Sequence, residues 1–404
     1  MTDSGAPLRG RFAYPRTAEV LYGPGSLAEL DGLADRLGAG RVFAIGSRTL
    51  LAGGVEERLG EILGGRFAGA FVGIEQHVPR ESVIAATAAA REAGADLLLS
   101  VGGGTPIDCA KAAALCLAAG VESAEGLDDY RIRFTYPDKL EVPALPAETI
   151  PHVAVPTTLS GSEHTDLCGV TDRSRSEKDL YRGPALAARA VILDAELALS
   201  TPPDLWAASG VRAIDHAVEG TLSARHVPFM DALALESLRI LRAHLAPSVD
   251  APDPLAERAE CLLGAWLAVY ALTNVGAGLS HGIGHQLAAM FDMMHGVTSA
   301  VMLPHVLRFN APVVGERIVR LAEPLGVEVD GLPTDEAAAR VIDALAAWIT
   351  DLEPFGVPHT LSAAGATRPQ LEQVADLVLH DMAAAVNPRS LDRADLLQLF
   401  DAAW

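Results

Sequence analysis

A chain of 404 residues with a formal net charge of −21 lacks the basic footprint that nucleic acid or an anionic membrane requires, so neither is an expected partner. Half of the residues are hydrophobic and only 5% aromatic, which describes a well-packed globular chain of two or three domains and excludes the disordered class. The four cysteines, Cys109, Cys116, Cys168 and Cys261, make no C-x-x-C pair, no apolar run reaches the ~18–20 residues of a membrane-spanning helix, and Met1 to Arg16 is too polar for a signal peptide, so reduced thiols and a cytoplasmic location are expected.

The first half alternates short apolar runs with helical stretches. Residues 41–46, 70–74, 97–101, 152–155 and 190–193 read as strands, and 50–64, 81–92 and 107–118 as helices between them. Continuous apolar strands joined by helices predict a parallel sheet covered on both faces. Residues 122–148 are polar and Pro-rich, a long excursion from this α/β half. Beyond residue 195 the strand signals stop, and helical periodicity fills 205–222, 230–245, 255–270, 279–291, 299–309, 335–352 and 368–382. The expected fold is therefore an α/β dinucleotide-binding domain over 1–190 followed by an all-helical domain over 191–404.

The run 97–101 leads into Gly102-Gly103-Gly104-Thr105-Pro106 and then a helix. Three glycines let a backbone approach a pyrophosphate, and the helix start supplies free N–H groups and the positive end of its dipole. Pro106 suits the first helical turn. Asp108 and Lys111, one turn apart, are placed to pair with each other or to reach a ribose or phosphate. The spacing is not G-x-G-x-x-G, and a tight turn without a ligand explains this segment alone equally well. A second loop favours a cradle. The run 152–155 ends in Pro156-Thr157-Thr158-Leu159-Ser160-Gly161-Ser162-Glu163, hydroxyl-rich and at the carboxyl end of a buried strand, where open α/β sheets bind ligands.

Nine of the twelve histidines fall in the helical half, so the chemistry is sought there. His216 follows Arg212 by one turn in a helical segment, with Asp215 between them. His281 and His285 share a helix face at i and i+4, and His295 and His305 lie beyond. Imidazoles so spaced suit metal ligation or proton relay, and the glycines between them allow close packing.

These motifs together carry a resemblance. Gly102-Gly103-Gly104-Thr105-Pro106-Ile107-Asp108-x-x-Lys111, Pro156-Thr157-Thr158, Asn274-Val275-Gly276-x-Gly278-Leu279-x-His281-Gly282-x-x-His285, His295-Gly296 and Asn387-Pro388-Arg389 resemble the iron-containing (group III) alcohol dehydrogenase family over residues 12 to 400. The resemblance implies a nucleotide domain, a helical domain and a cleft between them. In that cleft hydride would pass between a nicotinamide and a small alcohol, aldehyde or keto acid, in a homodimer. It assigns Gly102, Gly103, Gly104, Thr105, Asp108, Thr157, Thr158 and Lys178 to the cofactor, Lys178 at the nicotinamide ribose; a solvated loop lysine is the plain alternative.

The family holds Fe2+ or Zn2+ with an Asp and a His four residues apart and two later His. The His positions correspond to His216, His281 and His295, but the Asp position is Arg212. A guanidinium has no lone pair to donate, and Asp215 points ~100° away from His216 around the helix. A metal-free or weakened site is expected. Residues 156–165 are similar to the maleylacetate reductase branch, which works without metal and lacks the same Asp, although Arg212 is not its usual residue there. The stretch Phe291-Asp292-Met293-Met294-His295-Gly296 is closer to the alcohol dehydrogenases.

Arg212, His281 and His285 are the expected catalytic set. Arg212 would support a developing alkoxide or the carboxylate of an anionic substrate, and His285 would relay the proton. Ser47 and Arg48 stand where NAD-preferring members often carry an Asp, so both NAD and NADP are allowed. Two rival classes share the architecture, an NAD-binding lyase of the dehydroquinate synthase kind and a non-catalytic NAD(P)-binding protein.

Overall fold

A computed structural model describes residues 12–135, 139–175 and 177–404. Six parallel strands form the central sheet in the order β1-β10-β7-β4-β2-β3: β1 (Glu19–Tyr22), β2 (Val42–Gly46), β3 (Phe67–Phe71), β4 (Leu97–Gly102), β7 (His152–Pro156) and β10 (Ala190–Leu193). Two antiparallel hairpins stand apart, β5 (Arg133–Thr135) with β6 (Lys139–Glu141), and β8 (Leu167–Asp172) with β9 (Glu177–Arg182).

Both faces of the sheet are buried, which is why the strands read as unbroken apolar runs. Val42, Ala44, Leu97, Leu99, Val101, Val153 and Val155 pack on one side with helices α1 (Leu30–Arg36) and α2 (Glu56–Leu63). Phe43, Ile45 and Leu98 pack on the other with α3 (Arg80–Glu92) and α4 (Gly104–Ala119). The four cysteines are buried and free.

From Pro203 onward the described chain is helical: α5 (Pro203–Leu222), α6 (Pro228–His244), α7 (Leu255–Leu272), α8 (Leu279–Phe291), α9 (His295–Val319), α10 (Thr334–Thr350), α11 (Arg368–Val378) and α12 (Arg393–Ala402), with shorter turns between. Their apolar faces share one core, reached from the sheet side by Ala154, Val191 and Leu193. No helix among the described residues is long and apolar enough to cross a membrane.

Several sequence expectations shift. The third sheet strand lies at 67–71 and not 70–74, because Gly69 sits at φ +118° and the register slips between Val42 and Phe43, so the period breaks there. Strand β1 carries no clear strand period in the sequence, because it is a four-residue edge strand, half-buried for most of its length. The helix expected over 50–64 is interrupted at Gly53 and Gly54. The helix expected over 299–309 runs from His295 to Val319, through Pro304 and Pro312, with a kink at Val314. Strand β10 is the second strand of the sheet, so the α/β half extends through Leu193.

Candidate functional site

The strand order reverses between β2 and β4. From β2 the chain goes outward to β3, returns to β4 on the other side, and continues through β7 and β10 to the far side of the sheet. The crevice at the carboxyl ends of β2 and β4 is where such sheets bind a dinucleotide. Gly46-Ser47-Arg48 and Gly102-Gly103-Gly104 line it. Gly102 has φ +136°, which a side chain would not tolerate. A Cβ on Gly103 would lie 3.1 Å from Thr158, and one on Gly46 would lie 3.0 Å from the Val101 carbonyl. The α4 N-terminus, with Gly104 and half-buried Thr105, opens directly from this turn, so its free N–H groups fit an anionic pyrophosphate. Ser47 caps the short turn after β2, accepting from the Leu50 amide at 3.3 Å, and Arg48 is exposed beside it.

Asp108 and Lys111 face inward from α4 and tie the hydroxyl-rich loop in place. Asp108 accepts from Ser162 Oγ and from the Gly169 amide at 3.0 Å. Buried Lys111 donates to the carbonyls of Ser162 (2.6 Å), Thr165 (2.8 Å) and Leu167 (3.0 Å) and to Thr165 Oγ1 (3.0 Å). Thr157 and Thr158 are buried, and the Thr157 carbonyl accepts from Thr201 Oγ1 at 2.6 Å, which links the loop to the start of the helical half. In the same loop burial pushes the Glu163 carboxyl up to about 7.

Lys178 lies on β9, not on a loop. It crosses Gly169, where a Cβ would collide with its Cε at 2.1 Å, and its Nζ stops 3.4 Å from Nε2 of His295. Burial holds its ammonium below the ordinary lysine range. On the opposite wall, α5 carries Arg212, Asp215, His216 and Glu219, all buried. The rings of His216 and His281 stand 4.9 Å apart, and those of His285 and His295 stand 6.1 Å apart edge to face. His281 Nδ1 is 2.6 Å from Glu219 Oε2, and Glu219 also accepts from the amides of Gly278 and Ser280, both at 2.7 Å, capping the start of α8. With that carboxylate ionised, His281 Nδ1 is the donor and Nε2 keeps its lone pair. Burial lowers the imidazole to about 3 and raises Glu219 to about 7. His285 Nδ1 meets Asp381 Oδ2 at 3.0 Å; burial raises the Asp381 carboxyl, but His285 together with the Ala383 amide and Gln286 keeps it below its ordinary value.

Arg212 projects toward α8, its Nη1 3.8 Å from where a Cβ on Gly284 would stand. Its side chain is 10% exposed, its Nη1 donates to Ser299 Oγ at 3.1 Å, and Asp215 Oδ2 lies 3.6 Å away. Burial disfavours its charge, and Asp215 and Glu219 support it. Its positive charge helps to depress His216, His281 and His295, after burial itself. All three therefore feel one fixed cation. The residues do not fit a divalent ion. The one cluster of three ligating groups among the described residues is Asp215, Glu219 and His281; both Glu219 oxygens and Asp215 Oδ2 are taken by backbone, serine and imidazole donors, and Asp215 Oδ1 and His281 Nε2 have no partner. His216 and His295 do not join it, and a dication there would face the guanidinium.

Glu219, Asp381 and the contact between His77 and Asp292 were not foreseen from the sequence. Glu219 had a faint signal, a lone acid three residues after His216 in an otherwise apolar stretch. Asp381 had none, since it comes from a segment 96 residues away from His285.

Two family descriptions match: iron-containing alcohol dehydrogenase over residues 17–195 and the C-terminal part of the Fe-containing alcohol dehydrogenase family over 206–404. The chain belongs to the iron-containing alcohol dehydrogenase family. It is 32% identical over 319 residues to lactaldehyde reductase of Escherichia coli, covering 78% of each chain. It is 33% identical over 388 residues to maleylacetate reductase 2 of Cupriavidus pinatubonensis, covering 95% of this chain and 94% of that one. The crystal structure of a 1,3-propanediol oxidoreductase superposes with a TM-score of 0.88 at 27% identity, over 98% of this chain and all of that one. As a member of this family the protein is an NAD(P)-dependent oxidoreductase acting on small alcohols and carbonyl compounds. The lyase and the non-catalytic readings are not favoured.

Proposed function

We propose that this alcohol dehydrogenase family member reduces the carbonyl group of a small substrate in the cleft between its two halves, with Arg212 in place of a resident metal. The observation that carries the reading is the nine-tenths-buried guanidinium one turn before His216, held by Ser299 and Asp215 and lying 3.8 Å from where a Cβ on Gly284, between His281 and His285, would stand. When bound, the nicotinamide supplies or accepts the hydride at the substrate carbon. Gly102, Gly103, Gly104 and Thr105 cradle the pyrophosphate, and Thr157 and Thr158 close the cradle from the next strand. Asp108 acts on the cofactor indirectly, by fixing that loop.

Carbonyl reduction builds negative charge on the substrate oxygen. A guanidinium carries five N–H donors, and Ser299 and Asp215 engage only one of its nitrogens. The remaining donors stabilise the developing alkoxide, or hold a carboxylate beside it, without reorganising as charge appears. Lys178 adds a second cation from the opposite wall. His285, oriented by Asp381 and half-buried, relays the proton to the cleft. His281, anchored by Glu219, keeps an unpartnered Nε2 that accepts from the hydroxyl of the alcohol product.

Exposed Arg48 and the uncharged Ser47 favour NADPH, since a 2′-phosphate needs a cation and no neighbouring carboxylate. Likeness to maleylacetate reductases over nearly the whole chain supports an anionic substrate. The test is NADPH and NADH consumption by the purified protein with a panel of aldehydes, 2-oxo acids and oxo dicarboxylates. The reading expects net cofactor oxidation, fastest with a carboxylate-bearing carbonyl. Consumption with no member of the panel would overturn it.

A further inference from the structure

We propose that His77 and Asp292 are a positioning pair that holds the two walls of the cleft at working distance, an inference resting on the reading that Lys178 and His295 face the reaction. His77 follows β3 in the nucleotide half, and Asp292 ends α8 in the helical half. His77 Nε2 and Asp292 Oδ1 meet at 2.7 Å.

Among the described residues, the non-glycine residues in the left-handed region are His77 (φ 62°), Val78 (φ 54°) and Asp292 (φ 55°). Two of them make this contact, and Val78 is the next residue in the chain. Left-handed backbone is strained for a β-branched residue such as Val78, which is nonetheless buried at 2% exposure. Such strain persists where surrounding contacts impose it, and it concentrates at functional sites.

Those contacts run straight to the site. The His77 carbonyl accepts from Thr171 Oγ1 at 2.7 Å, and the Val78 carbonyl accepts from the Thr171 amide at 2.8 Å. Thr171 is the cross-strand partner of Lys178 in the β8–β9 hairpin. Asp292 stands three residues before His295. Two bridges therefore span the cleft side by side, His77 to Asp292 at its lip and Lys178 to His295 inside. Elsewhere the halves are joined by buried contacts, Thr201 to Thr157 and the Leu159 amide to Ser209 Oγ at 3.0 Å. Any separation of the walls that keeps these buried contacts breaks the more exposed lip pair. Once made, the lip pair sets the distance between the ammonium and the imidazole.

The test uses substitutions that keep the backbone comfortable: Asp292→Gly, His77→Asn and the double variant, since Gly and Asn both accept left-handed angles. The pair is partly exposed, so each single change should speed NADPH dissociation in stopped flow by about two- to fivefold. Substrate kcat/KM should fall in step, with the melting temperature nearly unchanged. The double variant should be no worse than either single, because one contact is lost once. Asp292→Asn, which keeps an acceptor oxygen, should recover part of the effect. Hydrogen exchange of residues 76–79 and 291–296 in the coenzyme-free protein should quicken in the variants, a readout independent of turnover. Additive single effects, unchanged dissociation and exchange, or a lower melting temperature with dissociation unchanged would each overturn the proposal. Absence of turnover in the parent, with exchange still responding, would count against the functional reading and leave the pair standing.

Discussion

In the proposed function, Arg212 is the residue that sets which chemistry the cleft performs. At a position where the family resemblance implies a metal-binding carboxylate, it supplies a cation of its own, and the site's neighbours are arranged around that charge. Asp215 and two serines hold one side of the guanidinium network, and the imidazoles stay neutral under burial and its field. Arg212→Asp should lower kcat/KM by about 100-fold, the usual loss when a group stabilising an oxyanion is removed. The same variant should acquire binding of Co2+, visible in its d–d absorption, because a carboxylate then stands one turn from His216. Arg212→Lys should retain part of the activity and bind no Co2+. A single-residue prediction of another kind concerns Glu163, whose carboxyl is pushed up to about 7 by burial. A raised acid contributes stability below its unfolded value, near 4.3, and that contribution is lost as pH rises through the folded value. Glu163→Gln cannot ionise, so relative to the parent it should gain up to about 3 kcal/mol between pH 4.5 and 8. Melting temperatures of both proteins across that range check the sign; a constant difference would contradict it.

At the scale of elements, the glycine turn and its helix form a unit whose anchors are polar. Lys111 fills four acceptor positions from a single buried ammonium, so Lys111→Met should cost about 3–5 kcal/mol, read by chemical denaturation, through the carbonyls it strands. At the end of β2, Arg48→Ala should raise the KM for NADPH at least about tenfold while leaving NADH unchanged, since only the 2′-phosphate contact is lost. The elements themselves were readable wherever one period dominated. Strands β4, β7 and β10 are buried on both faces and show as apolar runs, and α8 matches its periodic stretch from Leu279 to Phe291. The failures have local causes. Gly69 masks the period of β3, while β8 mixes small and apolar residues and β9 carries four charges in six residues, neither with a clean alternation, in a hairpin outside the main sheet. Spacing placed Asp108 and Lys111 on one face of α4. Only the fold shows that this face looks toward the loop after β7.

For the whole molecule, the residues that matter come from both halves and from positions far apart in the chain. The motifs made Gly102–Gly104, Arg212 and the histidines legible, because each lies in a short recognisable stretch. The groups that orient them were not legible: Asp381 meets His285 and Glu219 meets His281 only when the helices of the second half pack, across 96 and 62 residues, and His77 meets Asp292 only when the two halves come together, across 215. The account rests on one claim at this scale, that a built-in cation replaces a bound one in the interdomain cleft. Metal content, measured by elemental analysis on purified protein together with NADPH-dependent activity before and after chelation, tests it most directly. The account predicts far less than one metal ion per chain and activity indifferent to chelator and to added Fe2+ or Zn2+. One metal per chain, with activity lost on chelation and restored by adding the ion back, would contradict it.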